Sequence, residues 1–265
     1  MEKIGFIGMG NMGSAIMKGL LRHGFGSDDL LFADVDRMRS EKIEEETGVR
    51  AAASGRECAK RAGYLVLAVK PQYYQTVLEE IRPVTRPEQV IISIAPGKSI
   101  EDLKRALGQD RRIVRAMPNT PALLGEGMTG VCYDASLFTQ EEKEVLHRFF
   151  TSFGKMEVVE ERLMDAVVCA SGSSPAYVYM MIEALADSAV RCGLPRDKAY
   201  QMVAQTVAGS ARMVLETGMH PGALKDMVCS PGGTTIAAVG ALEQWGFRNA
   251  LMKATDACFE RCRSI

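Results

Sequence analysis

The sequence is short of histidine, has no CxxC pair, no excess of either charge and no long apolar run. His23, His147 and His220 are its only histidines, and none sits in a pattern that pairs it with a nucleophile or a ligand cluster. A Ser-His-Asp hydrolase therefore finds little support. The seven cysteines, Cys58, Cys132, Cys169, Cys192, Cys229, Cys258 and Cys262, are odd in number and unpaired in spacing, which argues against a disulfide framework. The missing CxxC argues against a structural zinc site, and no metal is expected. Cys258 and Cys262 are four apart in a helical stretch, share one face, and read as buried or idle thiols. The most apolar stretch, 175–190, is broken by Glu183 and Asp187, short of the roughly 20 residues a bilayer span needs. With 32 Lys+Arg against 33 Asp+Glu there is no basic field for nucleic acid and no polybasic membrane patch. The chain enters a strand directly after Met1-Glu2-Lys3, without signal-peptide architecture, so a cytoplasmic protein is expected.

What is present is ordinary globular material: 265 residues, 47% hydrophobic and 25% charged, enough for one large domain or two smaller ones. Residues 1–160 alternate β-rich runs with helical patterns. Strands are predicted at 3–8, 30–34, 64–69, 90–95, 112–117, 130–133 and 156–159. Their apolar runs are nearly continuous, as in strands covered on both faces. Helices are predicted at 11–23, 37–47, 73–81, 99–107 and 139–153, with capping-box spacings at Ser99/Asp102 and Thr139/Glu142. This alternation gives parallel βαβ units in an α/β, Rossmann-like, doubly wound sheet. Residues 161–265 carry only helical patterns: 161–170, 174–192, 195–217, 221–229, 234–245 and 247–263. Pro195 and Pro221 stand where helices begin. A second, all-α domain follows, and such an appended helical domain is expected to pair with a copy of itself.

The strongest local signal is Gly8-x-Gly10-x-x-Gly13, with a strand before it and a helix after it. Gly8 allows the turn, Gly10 lets the backbone approach a pyrophosphate, and Gly13 lets the helix pack on the strand. Asp34 ends the second strand, where an acid accepts from ribose hydroxyls and repels a 2′-phosphate, so the choice between NADPH and NADH leans towards NADH. Arg37 and Arg39 follow closely enough to hold a phosphate, which leaves the alternative open. Lys70, at the end of another strand, is placed for the ribose or pyrophosphate, and Ala95-Pro96-Gly97 offers backbone at the same edge.

In Met117-Pro118-Asn119-Thr120-Pro121, two prolines bracket an amide and a hydroxyl in a rigid turn that can face a nicotinamide ring or serve as a plain turn. Ser171-Gly172-Ser173-Ser174-Pro175 brings hydroxyls and free backbone N–H groups to a helix start. Ser230-Pro231-Gly232-Gly233-Thr234-Thr235 does the same, and its row of N–H donors suits a carboxylate. Either is also a simple capping turn. Together they favour a small anionic substrate. Reducing a C=N bond needs no acid–base dyad, only orientation, a neutralised carboxylate and a hydroxyl near nitrogen.

These segments resemble the pyrroline-5-carboxylate reductase family from end to end. The matching residues are Gly5-Phe6-Ile7-Gly8-Met9-Gly10-Asn11-Met12, Ala68-Val69-Lys70-Pro71, Met117 to Pro121 with Gly125-Glu126-Gly127, Ser171-Gly172-Ser173 with Pro175-Ala176-Tyr177, and Glu183-Ala184-Leu185. The most specific is residues 224–243, containing Val228-Cys229-Ser230-Pro231-Gly232-Gly233-Thr234-Thr235. The resemblance implies reduction of 1-pyrroline-5-carboxylate to L-proline with NADPH or NADH. It implies a Rossmann domain at 1–160 and a helical dimerisation and substrate domain at 161–265, in a homodimer or a decamer of five dimers, with the active site completed across the dimer. Gly8 to Gly13, Asp34, Ala68 to Pro71, Ala95 and Asn119 would hold the cofactor. Gly232, Gly233 and Thr234 would bind the substrate carboxylate, Ser171 and Ser173 would shape the pocket, and Thr235 would be the catalytic hydroxyl beside the ring nitrogen. Family members often carry Ser or Asn where Asp34 stands. Two other readings stay open on the residues alone. One is a β-hydroxyacid dehydrogenase-like reductase, for which Lys198 and Lys225 are the nearest lysines, neither in a matching motif. The other is a non-catalytic dinucleotide-binding regulator.

Overall fold

The computed structural model describes residues 2–264 and divides into two compact units, Met1–Ser173 with Cys258–Ile265, and Ser174–Ala257. The first unit is built on eight strands: β1 (Ile4–Ile7), β2 (Leu30–Ala33), β3 (Arg50–Ala51), β4 (Tyr64–Leu67), β5 (Val90–Ser93), β6 (Arg112–Met117), β7 (Gly127–Tyr133) and β8 (Gly154–Val158). Their order in the sheet is β3-β2-β1-β4-β5-β6-β7-β8. The helices of this unit are α1 (Asn11–Arg22), α2 (Arg37–Thr47), α3 (Gly55–Arg61), α4 (Tyr74–Ile81), α5 (Ile100–Leu107), α6 (Gln140–Thr151) and α7 (Met164–Val167).

The pairing register explains why the strand runs are apolar throughout. Phe32, Phe6, Val66, Ile92 and Val114 line up across five strands and sit in one buried cluster, under Ile16, Met17 and Leu20 of α1 and Phe149 and Phe150 of α6. One residue earlier, Leu31, Leu65, Ile91 and Ile113 line the opposite face, with Leu78 and Ile81 of α4 and Leu103 and Leu107 of α5. Gly5 interrupts that second row. A Cβ there would lie 2.8 Å from the Ala62 Cβ and 2.9 Å from the Cys58 sulfur, so glycine lets α3 close onto β1.

Strand order reverses between β1 and β4, because β2 and β3 extend one way and β5 onward the other. In doubly wound sheets that reversal opens a crevice at the carboxyl ends of the strands. Gly8 follows β1 and Ala68 follows β4, so the predicted loops border it.

Three sequence expectations need correction. The sheet is not wholly parallel, because β7 runs antiparallel to β6. The residues between them, 118–126, hold only a 3-10 turn, whereas a parallel return needs a dozen or more. β3 and α3 were not expected. β3 is too short to carry a pattern, but Ser54 caps α3 by accepting from the Glu57 N–H while Glu57 accepts from the Ala53 N–H, a spacing readable in the sequence. The helix expected at 161–170 is instead a 3-10 turn, the short α7 and a π turn at Val168–Gly172. Both predicted capping boxes form in full.

Glu142 of the second box also closes a two-point ion pair with Arg112 at the start of β6, at 2.7 and 2.6 Å. The Arg112 hydrogen bonds, helped by the Thr139 N–H, hold its carboxyl at about 2, well below 4.5. A folded value below the unfolded one contributes stability above pH 4.5 that is lost as the pH falls towards 2. Glu142→Gln is expected to lower stability at pH 7 by about 1–2 kcal/mol, the pair being partly screened by water. It should also flatten the acid limb of the stability profile. Denaturant midpoints measured from pH 7 down through the acid range check this, and an unchanged limb would refute it.

The second unit contains α8 (Ser174–Arg191), α9 (Arg196–Thr217), α10 (Pro221–Val228) and α11 (Thr234–Gln244), and most of α12 (Phe247–Cys262), whose last turn belongs with the first unit. Among its described residues only Ala186 and Ala199 are buried. Met180, Leu215, Met227, Val228 and Trp245 are each at least 65% exposed. Helices with this composition have no core of their own. No described helix is long and apolar enough to cross a membrane.

Candidate active site

In the first unit the glycine loop is built as its spacing predicts. Gly8 has φ +94°, and a Cβ there would meet the Ala68 carbonyl oxygen at 2.8 Å. Gly13 allows a closer approach still, since its Cβ would fall 2.4 Å from the Gly8 carbonyl oxygen. Gly10 differs, with nothing within 4 Å of its Cβ position. It caps α1 in extended backbone, no side chain caps the helix, and no acid stands in its first turn. The first N–H groups of α1, from Asn11, Met12 and Gly13, have no intrahelical acceptor and carry the positive end of the helix dipole, which is what a pyrophosphate needs. The cradle fits a dinucleotide.

Asp34 turns back into this loop. Its Oδ2 accepts from the Met9 N–H at 2.6 Å and its Oδ1 from the Asp36 N–H at 2.8 Å. Arg39 lies 3.4 Å from Asp34 and 3.3 Å from Asp36. The carboxylate is thus both a brace for the loop and a fixed negative charge beside it. Val35 follows and is fully exposed.

At the adjacent strand end, the Ala68 N–H donates to the Ile7 carbonyl, which ties the segment Ala68-Val69-Lys70-Pro71 to the glycine loop. Lys70 is exposed and caps a 3-10 turn that starts at Pro71. Ala95 is buried just past β5.

Asn119 is 8% exposed, and both ends of its amide are used. Nδ2 donates to the Ser171 carbonyl at 3.0 Å and Oδ1 accepts from the Met128 N–H at 2.9 Å. It pins the π turn to the start of β7. Within that turn the Ser171 hydroxyl donates to the Val167 carbonyl, and the Ser173 N–H donates to the Val168 carbonyl at 2.8 Å. The free N–H expected at Ser173 is therefore taken. π turns of this kind recur at functional sites.

In the second unit, Gly232 has φ +68° and turns the chain into α11. Gly233 is its N-cap in extended backbone, with no side-chain cap, and Thr234 and Thr235 are the first two helical residues. A Cβ on Gly233 would lie 2.4 Å from the Ser230 hydroxyl. The result is an exposed, glycine-lined helix start with a hydroxyl on each of its first two residues, suited to a small carboxylate.

Comparisons with known proteins agree with both halves. Residues 161–265 match the family model for pyrroline-5-carboxylate reductase dimerisation, and residues 3–97 match that for NADP oxidoreductase, coenzyme F420-dependent. The pyrroline-5-carboxylate reductase of Escherichia coli K12 is 48% identical over 267 residues, covering 100% of this chain and 98% of that protein. That of Glycine max is 40% identical, covering 99% and 95%. Among solved structures, the Coxiella burnetii pyrroline-5-carboxylate reductase superposes with a TM-score of 0.91 at 33% identity, covering 99% of this chain and 98% of that one. The Plasmodium falciparum pyrroline carboxylate reductase, solved with NADP bound, gives 0.89 at 33%, covering 99% and 97%. A cradle for a nicotinamide dinucleotide, a helical half that lacks its own core, and relatives this similar over their whole lengths place the chain in the pyrroline-5-carboxylate reductase family.

Proposed function

We propose that the protein reduces the C=N bond of 1-pyrroline-5-carboxylate to give L-proline, the last step of proline biosynthesis. The observation that carries this reading is the start of α11, an uncapped, glycine-lined terminus with Thr234 and Thr235 at its head. The Gly232, Gly233 and Thr234 backbone takes the substrate carboxylate. The Thr235 hydroxyl hydrogen-bonds the ring nitrogen, steadying the proton that nitrogen carries as carbon is reduced. Ser171 and Ser173 shape the pocket wall, and Asn119 keeps their turn in place. Gly8, Met9, Gly10, Asn11, Met12 and Gly13 hold the pyrophosphate, with Asp34, Ala68, Val69, Lys70, Pro71 and Ala95 around the rest of the cofactor. Bound NADH or NADPH supplies the hydride. Residues 1–160 serve as the dinucleotide domain and 161–265 as the dimerisation and substrate domain, in a homodimer or a decamer of five dimers, in the cytoplasm.

The test is nicotinamide oxidation, followed by absorbance, with 1-pyrroline-5-carboxylate and each cofactor. Cofactor binding without turnover on this imine would overturn the reading.

NADH is the preferred reductant in this reading. Asp34 places a carboxylate beside the loop, and of the two nearby cations able to meet a 2′-phosphate, Arg39 is engaged by two carboxylates and Arg37 by Glu41. Asp34→Ser is expected to move the ratio of kcat/KM for NADPH over NADH upward by about tenfold or more, some 1.4 kcal/mol. Both KM values should rise as well, since the Met9 N–H loses its 2.6 Å acceptor. An unmoved ratio in steady-state assays would sink this role.

A further inference from the structure

The π turn that carries Ser171 and Ser173 also carries Cys169, and the chain's last helix brings Cys258 and Cys262 to it. All three sulfurs lie within 4.8 Å of one another. Cys169 is buried, while Cys258 and Cys262 are half-buried. Four residues separate Cys258 from Cys262 on α12, so both side chains leave the same face. We propose that Cys169, Cys258 and Cys262 form a three-thiolate site for a soft d10 cation of the Zn²⁺ or Cd²⁺ type, and that its occupation reshapes the Ser171–Ser173 turn.

The geometry is close to what such an ion requires. With metal–sulfur bonds of about 2.3 Å, three thiolates around one ion stand roughly 3.8–4.0 Å apart, so small side-chain rotations suffice. A solvent molecule or an oxygen donor completes a fourth position. Asp165 stands one helical turn before Cys169, and its charge acts on both Cys169 and Cys262. Three mutually close sulfurs with a carboxylate nearby repel one another as thiolates. Burial, the Cys258 sulfur and the charges of Cys262 and Asp165 push the Cys169 thiol up to about 12, and burial with the same neighbours raises Cys262. A cation reverses the sign of that interaction. Each ligating thiol gives its proton to water and its electron pair to the metal, with no change of oxidation state.

The link to the pocket is direct. The Cys258 sulfur donates to the Ser173 hydroxyl at 3.4 Å, and the Asn119 amide holds the Ser171 carbonyl. A cation that draws Cys169 and Cys258 together pulls Cys258 away from Ser173 and strains the turn from within. The effect on turnover rests on the pocket roles proposed for Ser171 and Ser173, whereas the binding of the ion does not.

The test uses the full-length reduced protein with Cys192→Ser and Cys229→Ser, which removes the other thiols that are not fully buried; Cys58 and Cys132 remain, both buried. Cd²⁺ is titrated in while the thiolate-to-cadmium charge-transfer absorbance and the reductase rate are followed. One ion per chain is expected, with the absorbance of three thiolates, loss of most of the rate, and recovery on adding a chelator. Adding Cys262→Ser should leave the ion-free rate unchanged, reduce the absorbance and weaken Cd²⁺ binding by at least tenfold. No band, or a band indifferent to Cys262→Ser, overturns the site and leaves the reductase reading intact. A full band with an undiminished rate overturns the coupling to the turn. Should Cys262→Ser fail to fold, alkylation mapped by mass spectrometry replaces it: Cd²⁺ must protect the two half-buried thiols, Cys258 and Cys262, together, and protection of only one or neither refutes the site.

Discussion

Replacing Gly13 with alanine is expected to lower kcat/KM for the nicotinamide cofactor by about 100-fold or more, near 2.7 kcal/mol, and to lower stability as well. The reason is a backbone contact. The new Cβ would sit 2.4 Å from the Gly8 carbonyl oxygen and 3.3 Å from the Ala68 Cβ. Neither the carbonyl nor the strand behind it can rotate aside. α1 must therefore slide away from the ends of β1 and β4, taking its first N–H groups with it. Overpacking of this kind costs about 1–3 kcal/mol of stability. Gly10→Ala separates the two effects. Nothing lies within 4 Å of its Cβ and its φ of −67° suits any residue, so Tm should hold while the methyl group intrudes where a pyrophosphate approaches. Steady-state kinetics and thermal unfolding of the two variants decide it. Wild-type cofactor affinity in Gly13→Ala would overturn the placement of the dinucleotide on α1.

The second large effect is expected at Thr235. Thr235→Ala should reduce turnover more than tenfold, at least about 1.4 kcal/mol, with little change in cofactor KM. Thr235 is the second residue of α11, where alanine is well tolerated, so the helix itself should persist. Thr235→Ser keeps the hydroxyl and is expected to restore much of the rate. Turnover in the alanine variant equal to wild type, or a serine variant no better than alanine, would remove Thr235 from the reacting nitrogen.

The parts of this molecule that the sequence makes legible are those set by local pattern. Strand runs such as Ile4-Gly5-Phe6-Ile7 and Val90-Ile91-Ile92-Ser93 are readable because both faces are covered, so nearly every position is apolar. Ser99 and Thr139 announce their helices because capping is chemistry between residues three apart. The glycine loop is legible for the same reason, each glycine answering a constraint within the turn. Direction is less legible. β7 begins at Gly127, Met128 and Thr129, which form no apolar run, and nothing local states that it returns antiparallel. Least legible are contacts between distant segments. Asp34 could be placed near a ribose by its position after β2, yet its hydrogen bond to the Met9 N–H depends on the register of two strands. The turn around Asn119 reads equally as a plain turn or as an amide presented to a ligand, and its engagement by Ser171 and Met128 on either side depends on distant segments. Cys169 stood alone in the sequence, and only tertiary folding brings it to Cys258 and Cys262.

The near-absence of buried residues between Ser174 and Ala257 ties the stability of these helices to whatever surface covers them. Apolar side chains such as Trp245, Met180 and Leu215 gain roughly 2 kcal/mol each only when another surface covers them. Where a second copy supplies that surface, association and folding of these helices become linked, and mass action bears on both. In the homodimer proposed above, dilution would then act on these helices as a denaturant does, and expression level in the cell would set what fraction of the protein is intact.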